Sequence, residues 1–471
     1  MLRPEEHVPM ASSTRTIVQA FDGAAIQDLE LHDGPAVDTM LESSWRLHRN
    51  HPHGLPAHER RAILKRLAAL MAPEAEAFAL LIAREGGKPL KDARVEVARA
   101  INGVDLAAEE MGRLGGHQIP MDLTAAGAGR TAFTIREPIG VVVAISAFNH
   151  PLNLIVHQVA PAVAVGCPVI VKPAGTTPLS CLKFLGLLYE AGLPEDWCRF
   201  CYCAPEVAGQ LAADPRVAFV SFIGSGEVGW RLRSRLAPGA RCSLEHGGVA
   251  PVIVAADADL ERMVPLLVKG GYYHAGQVCV SVQRVFADAK IKAKLVDALV
   301  DHVENLVTGD PVDAATDVGP LIQTGEVDRV ETWVVEAVES GAGCPIGGHR
   351  LSDRVYAPTL LVDPPAGCRA SAEEIFGPVL NVYGYDDEDA AVARANALSA
   401  SFQAAVFTRD VERAMRLSRR LDAAAVMVND HTAFRVDWMP FGGRRTSGLG
   451  VGGMLYAMED MAPEKLVVIK G

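Results

Sequence analysis

Three side chains suited to acyl chemistry stand in three short stretches of this sequence. Cys279 lies in Gly-Gln-Val-Cys-Val-Ser-Val-Gln-Arg, residues 276–284, with no charged neighbour for several residues on its N-terminal side. Glu245 stands 34 residues earlier (279 − 245) in Ser-Leu-Glu-His-Gly-Gly, and Asn149 stands in Ala-Phe-Asn-His-Pro. A lone cysteine usually fills a core. A thiol accompanied by a carboxylate and an amide is different, because the thiolate is a strong nucleophile. A carboxylate can act as general base, and an amide can donate to an oxyanion.

Each of the three ends an apolar run that reads as a strand, so a sheet must bring them together. From residue 140, predicted strands at 141–146, 168–172, 200–203 and 217–222 alternate with predicted helices at 152–165, 178–191 and 205–213. This alternation predicts an open, doubly wound parallel sheet of the α/β class. Ahead of it, 16–21 and 26–31 read as strands, and 37–49, 56–71, 73–85 and 90–111 carry apolar residues at helical spacing. Residues 115–134 read as a β-hairpin around the small residues 125–129. Residues 245–248 read as a domain junction, followed by a strand at 251–254 and a helix at 260–270 that leads toward Cys279. A second α/β unit runs over 280–428. The tail ends in an apolar strand at 465–469, an edge suited to joining a partner's sheet.

Gly224, Gly226 and Gly229 fit G-x-G-x-x-G between the strand 217–222 and a predicted helix at 227–236. Small residues at a helix N-terminus let backbone amides approach a pyrophosphate. The motif does not make Glu245 the ribose-binding acid, because it follows several earlier strands rather than occupying the first strand–helix turn. His48, His51, His53 and His58 have spacing open to metal binding, but Pro52, Gly54 and Pro56 mark an exposed connection. Cys198, Cys201 and Cys203 lack a second pair, so no metal site is expected.

At 471 residues the chain calls for two or three domains, and 49% apolar with 22% charged residues is the balance of a globular protein. A net charge of −12 argues against nucleic-acid or anionic-membrane partners, so an anionic ligand needs a local basic pocket. The first 16 residues contain Glu5 and Glu6 and no apolar segment of a secretory signal. The longest apolar runs are about ten residues, against the ~20 that span a bilayer. Nine cysteines without a disulfide pattern point to a reducing compartment, the cytoplasm.

The motifs together resemble the aldehyde dehydrogenase superfamily over nearly the whole chain. They run in family order: Glu-Pro-Ile-Gly-Val-Val-Val-Ala-Ile (137–145), Phe-Asn-His-Pro (148–151), Val-Lys-Pro-Ala (171–174), Phe-Ile-Gly-Ser-Gly-Glu-Val-Gly (222–229), Leu-Glu-His-Gly-Gly (244–248), Gly-Gln-Val-Cys (276–279), Glu-Glu-Ile-Phe-Gly-Pro (373–378) and Pro-Phe-Gly-Gly (440–443). The resemblance implies two doubly wound α/β domains plus a small β oligomerisation flap. Residues 1–114 and 136–246 would bind nucleotide, 247–445 would form the catalytic domain, and 115–135 with 446–471 would form the oligomerisation hairpin and tail of a homodimer or homotetramer.

It further implies oxidation of a small aldehyde with NAD or NADP, with Cys279, Glu245 and Asn149 as nucleophile, base and oxyanion donor. Ala147, Phe148, Lys172, Gly224, Ser225, Val228, Gly229, Glu374 and Phe376 would bind cofactor. Gly175 replaces the acid common in NAD-preferring relatives, which leaves NADP open. For substrate, Phe434, Arg435, His431, His150 and Arg113 are the candidates, and they resemble the branch acting on lactaldehyde, glycolaldehyde and phosphonoacetaldehyde. Val278 stands where some phosphonate-acting relatives carry an arginine before the nucleophile. A structural alternative pairs Arg435 with Asp437. Two other functions remain: a CoA-acylating enzyme, against which Glu245 argues, and a catalytically retired binding protein.

Overall fold

Short strands of Val, Ile and Ala that are buried on both faces require helices on both sides, and this pattern organises the computed structural model, which describes residues 14–471. Of the start of the chain read as non-secretory, residues 1–13 lie outside the described residues. A six-stranded sheet runs in the order Gly448–Leu449, Arg241–Glu245, Val217–Ile223, Val141–Ile145, Val169–Lys172 and Cys198–Phe200. All its neighbours are parallel except the antiparallel Gly448–Leu449. Strand order reverses between Val141–Ile145 and Val217–Ile223, so the segments leaving their C-terminal ends run to opposite sides and open a crevice.

The helices Ala57–Met71, Leu90–Glu110, Asn153–Val165 and Leu179–Glu190 bury a continuous apolar core against this sheet. A second sheet of seven strands holds Val282–Asp288 beside Ala250–Val254, with Val379–Tyr385 and Gln403–Phe407 flanking that pair. Its own core is formed with Leu260–Tyr272, Ala289–Glu304 and Thr324–Glu339.

The predicted hairpin forms as Gln118–Ile119 against Arg130–Arg136, and Glu464–Lys470 pairs with Arg130–Arg136 of the same chain to make a three-stranded sheet. The tail strand therefore lies on its own hairpin, with its outer edge unpaired among the described residues. The stretch expected to be tail throughout, 446–471, divides. Gly448–Leu449 returns to the six-stranded sheet, and Met454, Met458 and Met461 of the following helix enter the first core. Only Glu464–Lys470 joins the small sheet, because burying three methionines outweighs leaving that helix on the surface. Among the described residues no helix is long and apolar enough to cross a membrane.

Candidate active site

The crevice widens into a cleft of about 1280 Å³ lined from both sheets. Ile145, Ser146 and Ala147 enter it from one side of the switch point, and Ile223, Gly224 and Ser225 from the other. Cys279, Glu245 and Asn149, which are 130 residues apart at the extremes (279 − 149), all reach it.

The loop that carries the thiol is held in an unusual backbone. His274, Ala275 and Gly276 all take positive φ, at 49°, 54° and 70°. A Cβ on Gly276 would lie 2.0 Å from the Gly377 carbonyl oxygen, so only glycine fits. Gln277 anchors the loop by donating to the His274 and Pro320 carbonyls and accepting from the Ile322 amide. Its own carbonyl accepts from Asn149 Nδ2 at 3.0 Å. That bond fixes the Asn149 amide beside the thiol loop and leaves its second N–H to donate elsewhere.

Burial, reinforced by the nearby Glu245 carboxylate, pushes the Cys279 thiol well above its ordinary range, while Arg435 pulls the other way. Burial likewise raises the Glu245 carboxyl, against the pull of Arg435. Arg435 Nη1 lies 3.8 Å from Glu245 Oε1, and its guanidinium stacks on Phe441 at 3.6 Å from the ring centre. Glu245 Oε1 and Arg435 Nε are buried without a hydrogen-bond partner. The site thus holds two weak acids and one cation, with polar atoms open to a ligand.

Arg435 does not pair with Asp437. Asp437 instead accepts from Arg99 at 2.7 and 3.2 Å and from His157 Nε2 at 2.8 Å. Although burial opposes it, these bonds hold Asp437 well below the usual carboxylate range. Burial and then Arg435 push His157 down to about 4, over the pull of Asp437, so its ring is neutral near pH 7. With the Nε2 proton committed to Asp437, His157 Nδ1 faces Arg435 Nη2 at 3.4 Å as acceptor. Burial also lowers His150 well below its usual range, and its Nε2 meets the Tyr273 hydroxyl at 3.2 Å. His431 is lowered by burial and lines the same region with Phe434. The histidines therefore offer neutral hydrogen-bonding groups, and Arg435 offers the charge.

On the other side, Lys172, Phe148, Val228, Glu374 and Phe376 line the cleft with Gly224, Ser225 and Ala147. Phe148 and Phe376 meet edge-to-face at 5.8 Å. The helix Gly226–Arg233 starts at the cleft, and its first amides have no intrahelical acceptor. Burial raises the Glu374 carboxyl to about 8, and Oε1 is buried without a partner. A Cβ on Gly247 would sit 1.9 Å from that carboxylate, so the second sheet can close on the first only with glycine there. Orphaned helix amides, an unpartnered carboxylate oxygen and a lysine along one crevice fit the pyrophosphate and ribose hydroxyls of a dinucleotide.

Two expected site residues lie elsewhere. Gly229 does not line the cleft: a Cβ there would fall 1.9 Å from His246 Cε1, so this glycine makes room for His246, which packs against Phe222 and Trp230. Arg113 is exposed and bonds Glu110 at 3.0 Å, one turn back along the chain and outside the cleft. Conversely, Arg99, Lys269, Tyr273 and Phe441 line the cleft and were not anticipated. Arg99 lies 338 residues from the Asp437 it holds, and such a pairing leaves no local signal.

A dinucleotide crevice joined to a part-buried thiol and carboxylate and a buried amide defines an oxidoreductase acting through a covalent cysteine adduct. The chain belongs to the aldehyde dehydrogenase family, whose model matches residues 7–467. It is similar to 3-sulfolactaldehyde dehydrogenase of Priestia aryabhattai, 38% identical over 413 residues, covering 88% of this chain and 86% of the relative. Among solved structures it is similar to aldehyde dehydrogenase 21 of Physcomitrella patens in complex with the reaction product succinate (TM-score 0.94, 34% identity, covering 98% of this chain and 95% of that one). It is also similar to glyceraldehyde-3-phosphate dehydrogenase GapN of Methanocaldococcus jannaschii complexed with NADP (TM-score 0.92, 33% identity, covering 97% and 99%).

Proposed function

We propose that this chain oxidises a small aldehyde bearing an anionic or hydroxylated group to its carboxylate, using NAD or NADP. The observation that carries the substrate class is Arg435, a buried guanidinium that faces Glu245 at 3.8 Å and has an unpartnered Nε beside Cys279 and Glu245. The relatives named above act on a sulfonated aldehyde and a phosphorylated one or yield succinate, which agrees with a cation in that position.

The chemistry follows from the residues. Cys279 loses its proton to the Glu245 carboxylate and adds through sulfur to the aldehyde carbon, forming a C–S bond. The carbonyl oxygen becomes an oxyanion and accepts from Asn149 Nδ2 and from the Cys279 amide, which donates to no backbone carbonyl among the described residues. A nicotinamide held in the crevice lined by Lys172, Ser225 and Glu374 would supply the hydride acceptor, and loss of hydride from that carbon leaves a thioester on Cys279. Glu245, once deprotonated, takes a proton from water as the water oxygen attacks the thioester, and the thiolate leaves. Arg435 holds the far end of the substrate and keeps both acids more acidic than burial alone would allow.

The same reading places the protein in the cytoplasm, in keeping with nine free cysteines. It divides the chain into a nucleotide-binding part around the six-stranded sheet and a catalytic part around the seven-stranded one. It also makes the protein a homo-oligomer joined through the three-stranded sheet, where Phe133, Ile135, Leu466, Val468 and Ile469 are exposed.

The test follows reduced-nicotinamide absorbance with sulfolactaldehyde, succinic semialdehyde, lactaldehyde and an alkyl aldehyde. The anionic and hydroxylated aldehydes should give the higher kcat/KM, and Cys279→Ala should give no turnover. Glu245→Gln, which can take a proton from neither the thiol nor water, should slow the first-turnover formation of reduced cofactor and lower steady-state turnover about 10²–10⁴-fold. Equal preference for the alkyl aldehyde would remove the substrate reading. Turnover that requires CoA would assign deacylation to a thiol instead of water.

A further inference from the structure

Behind the wall of the cleft sit two polar side chains that no step at sulfur calls on, His157 and Asp437. His157 belongs to the helix Asn153–Val165, which is buried all round, and Asp437 follows Arg435 by two residues. Both are buried and neither lines the cleft, so a substrate does not touch them. A buried imidazole needs a partner for each ring nitrogen, and here both partners are charged.

Asp437 decides which nitrogen carries the proton. Its Oδ1 accepts from Arg99 Nη2 at 2.7 Å, from His157 Nε2 at 2.8 Å and from Asn153 Nδ2 at 3.3 Å, and its Oδ2 accepts from Arg99 Nε at 3.2 Å. A carboxylate held by a guanidinium has no proton to give, so the ring must donate from Nε2. Burial keeps the ring from taking a second proton. Nδ1 is left as an acceptor, and the group it faces is Arg435 Nη2 at 3.4 Å.

That contact is the only hydrogen bond Arg435 makes among the described residues. Its other restraints are the stacking of the guanidinium on Phe441 and the ion pair with Glu245 at 3.8 Å. Stacking sets the plane of the guanidinium and leaves it free to turn within that plane, and a hydrogen bond at one Nη removes the freedom. Because Arg99 already occupies Asp437, Arg435 is not drawn back to the carboxylate two residues away. Its charge stays on the side of Glu245 and a ligand, with Nε unpartnered.

We propose that His157, with its tautomer set by Asp437, is a positioning residue that fixes the direction of the Arg435 guanidinium and thereby the preference for an anionic aldehyde. The proposal rests on the reading of Arg435 as the receptor of the substrate's anionic group. An imidazole protonated only at Nε2 suits the place, because it gives a hydrogen bond to an anion on one side and takes one from a cation on the other without adding charge.

Steady-state kinetics with succinic semialdehyde and with a neutral alkyl aldehyde test it, each variant read on the alkaline plateau of its own pH profile. His157→Leu removes both hydrogen bonds and should raise KM for the anionic aldehyde about three- to tenfold, the scale of one net hydrogen bond, with kcat much less affected. KM for the neutral aldehyde should stay where it is. His157→Gln should restore most of the loss, because its amide can donate to Asp437 and accept from Arg435. Asp437→Asn leaves the helix residue in place, removes the charge that commits the ring proton, and should show part of the rise; an unchanged KM there overturns the role given to Asp437. Arg435→Gln is the reference. If it leaves KM for the anionic aldehyde unchanged, the substrate reading falls and the proposal with it. If it raises that KM while His157→Leu does not, the substrate reading stands and the proposal is overturned. An equal rise for both aldehydes in His157→Leu, or a His157→Gln variant no better than His157→Leu, makes His157 a packing residue and overturns the proposal as well.

Discussion

Arg435 has two duties that a single substitution separates. In the proposed mechanism it faces the far end of the substrate, and its charge lowers the pKa of Glu245 and Cys279 against burial. Glu245 acts as a base only when deprotonated, so kcat rises with pH through its pKa. Arg435→Gln removes the opposing cation, both acids titrate higher, and the rising limb of the pH–kcat profile moves to higher pH. In the same variant KM for an anionic aldehyde should rise at least about tenfold, while a neutral alkyl aldehyde shows the pH shift without that rise. Steady-state kinetics between pH 6 and 10 check this, and an unshifted profile would make Arg435 a substrate contact only. The neutral His157, held by Asp437, accepts from the guanidinium at 3.4 Å, and the charges of Glu245 and Asp437 offset part of the burial that lowers Arg435.

At the scale of elements, the placement of the Asn149 amide, the proposed oxyanion donor, depends on how the helix Asn153–Val165 begins. Its cap residue Leu152 makes no side-chain cap bond. The role is taken by Glu96 from the helix Leu90–Glu110, whose Oε1 accepts from the Leu152 and Asn153 amides at 3.0 and 3.1 Å. The other oxygen of Glu96 pairs with the fully buried Lys88. Glu96→Ala would leave two helix amides and a buried ammonium unsatisfied, at a cost of about 3–5 kcal/mol. Urea unfolding should show the loss, and kcat should fall at temperatures where the variant is still folded, because Asn149 sits just ahead of the freed helix end. A drop in stability with unchanged kcat would confine Glu96 to folding.

For the whole molecule, the three-stranded sheet is the place where surface and assembly meet. The strand Glu464–Lys470 leaves an open edge with Leu466, Val468 and Ile469 exposed, which is the kind of edge chains avoid unless it is covered. Sedimentation equilibrium should give a mass that is a multiple of the chain's, and Leu466→Lys with Val468→Lys should reduce it to one chain. A monomeric wild type would make this sheet a terminus for the fold alone.

The alternation of short apolar strands with helices, the glycines of residues 222–229, and the thiol, carboxylate and amide were all legible along the chain. Each is a local pattern, set by periodicity or by residue types within a few positions. The helix Pro205–Ala213 falls on its predicted bounds, and other elements shift by one to three residues at their ends. What lay beyond the sequence was pairing at a distance. Arg435 turned from Asp437 to Glu245 because Arg99, far earlier in the chain, already held Asp437. Gly229 belongs to His246 and not to a ligand, because the third dimension brings an imidazole to within 2 Å of its missing Cβ. The tail divided between two sheets because three methionines found a core. Local chemistry is written in order along the chain, whereas charge partners and steric room depend on which segments the folded core brings together, and only the tertiary structure decided those.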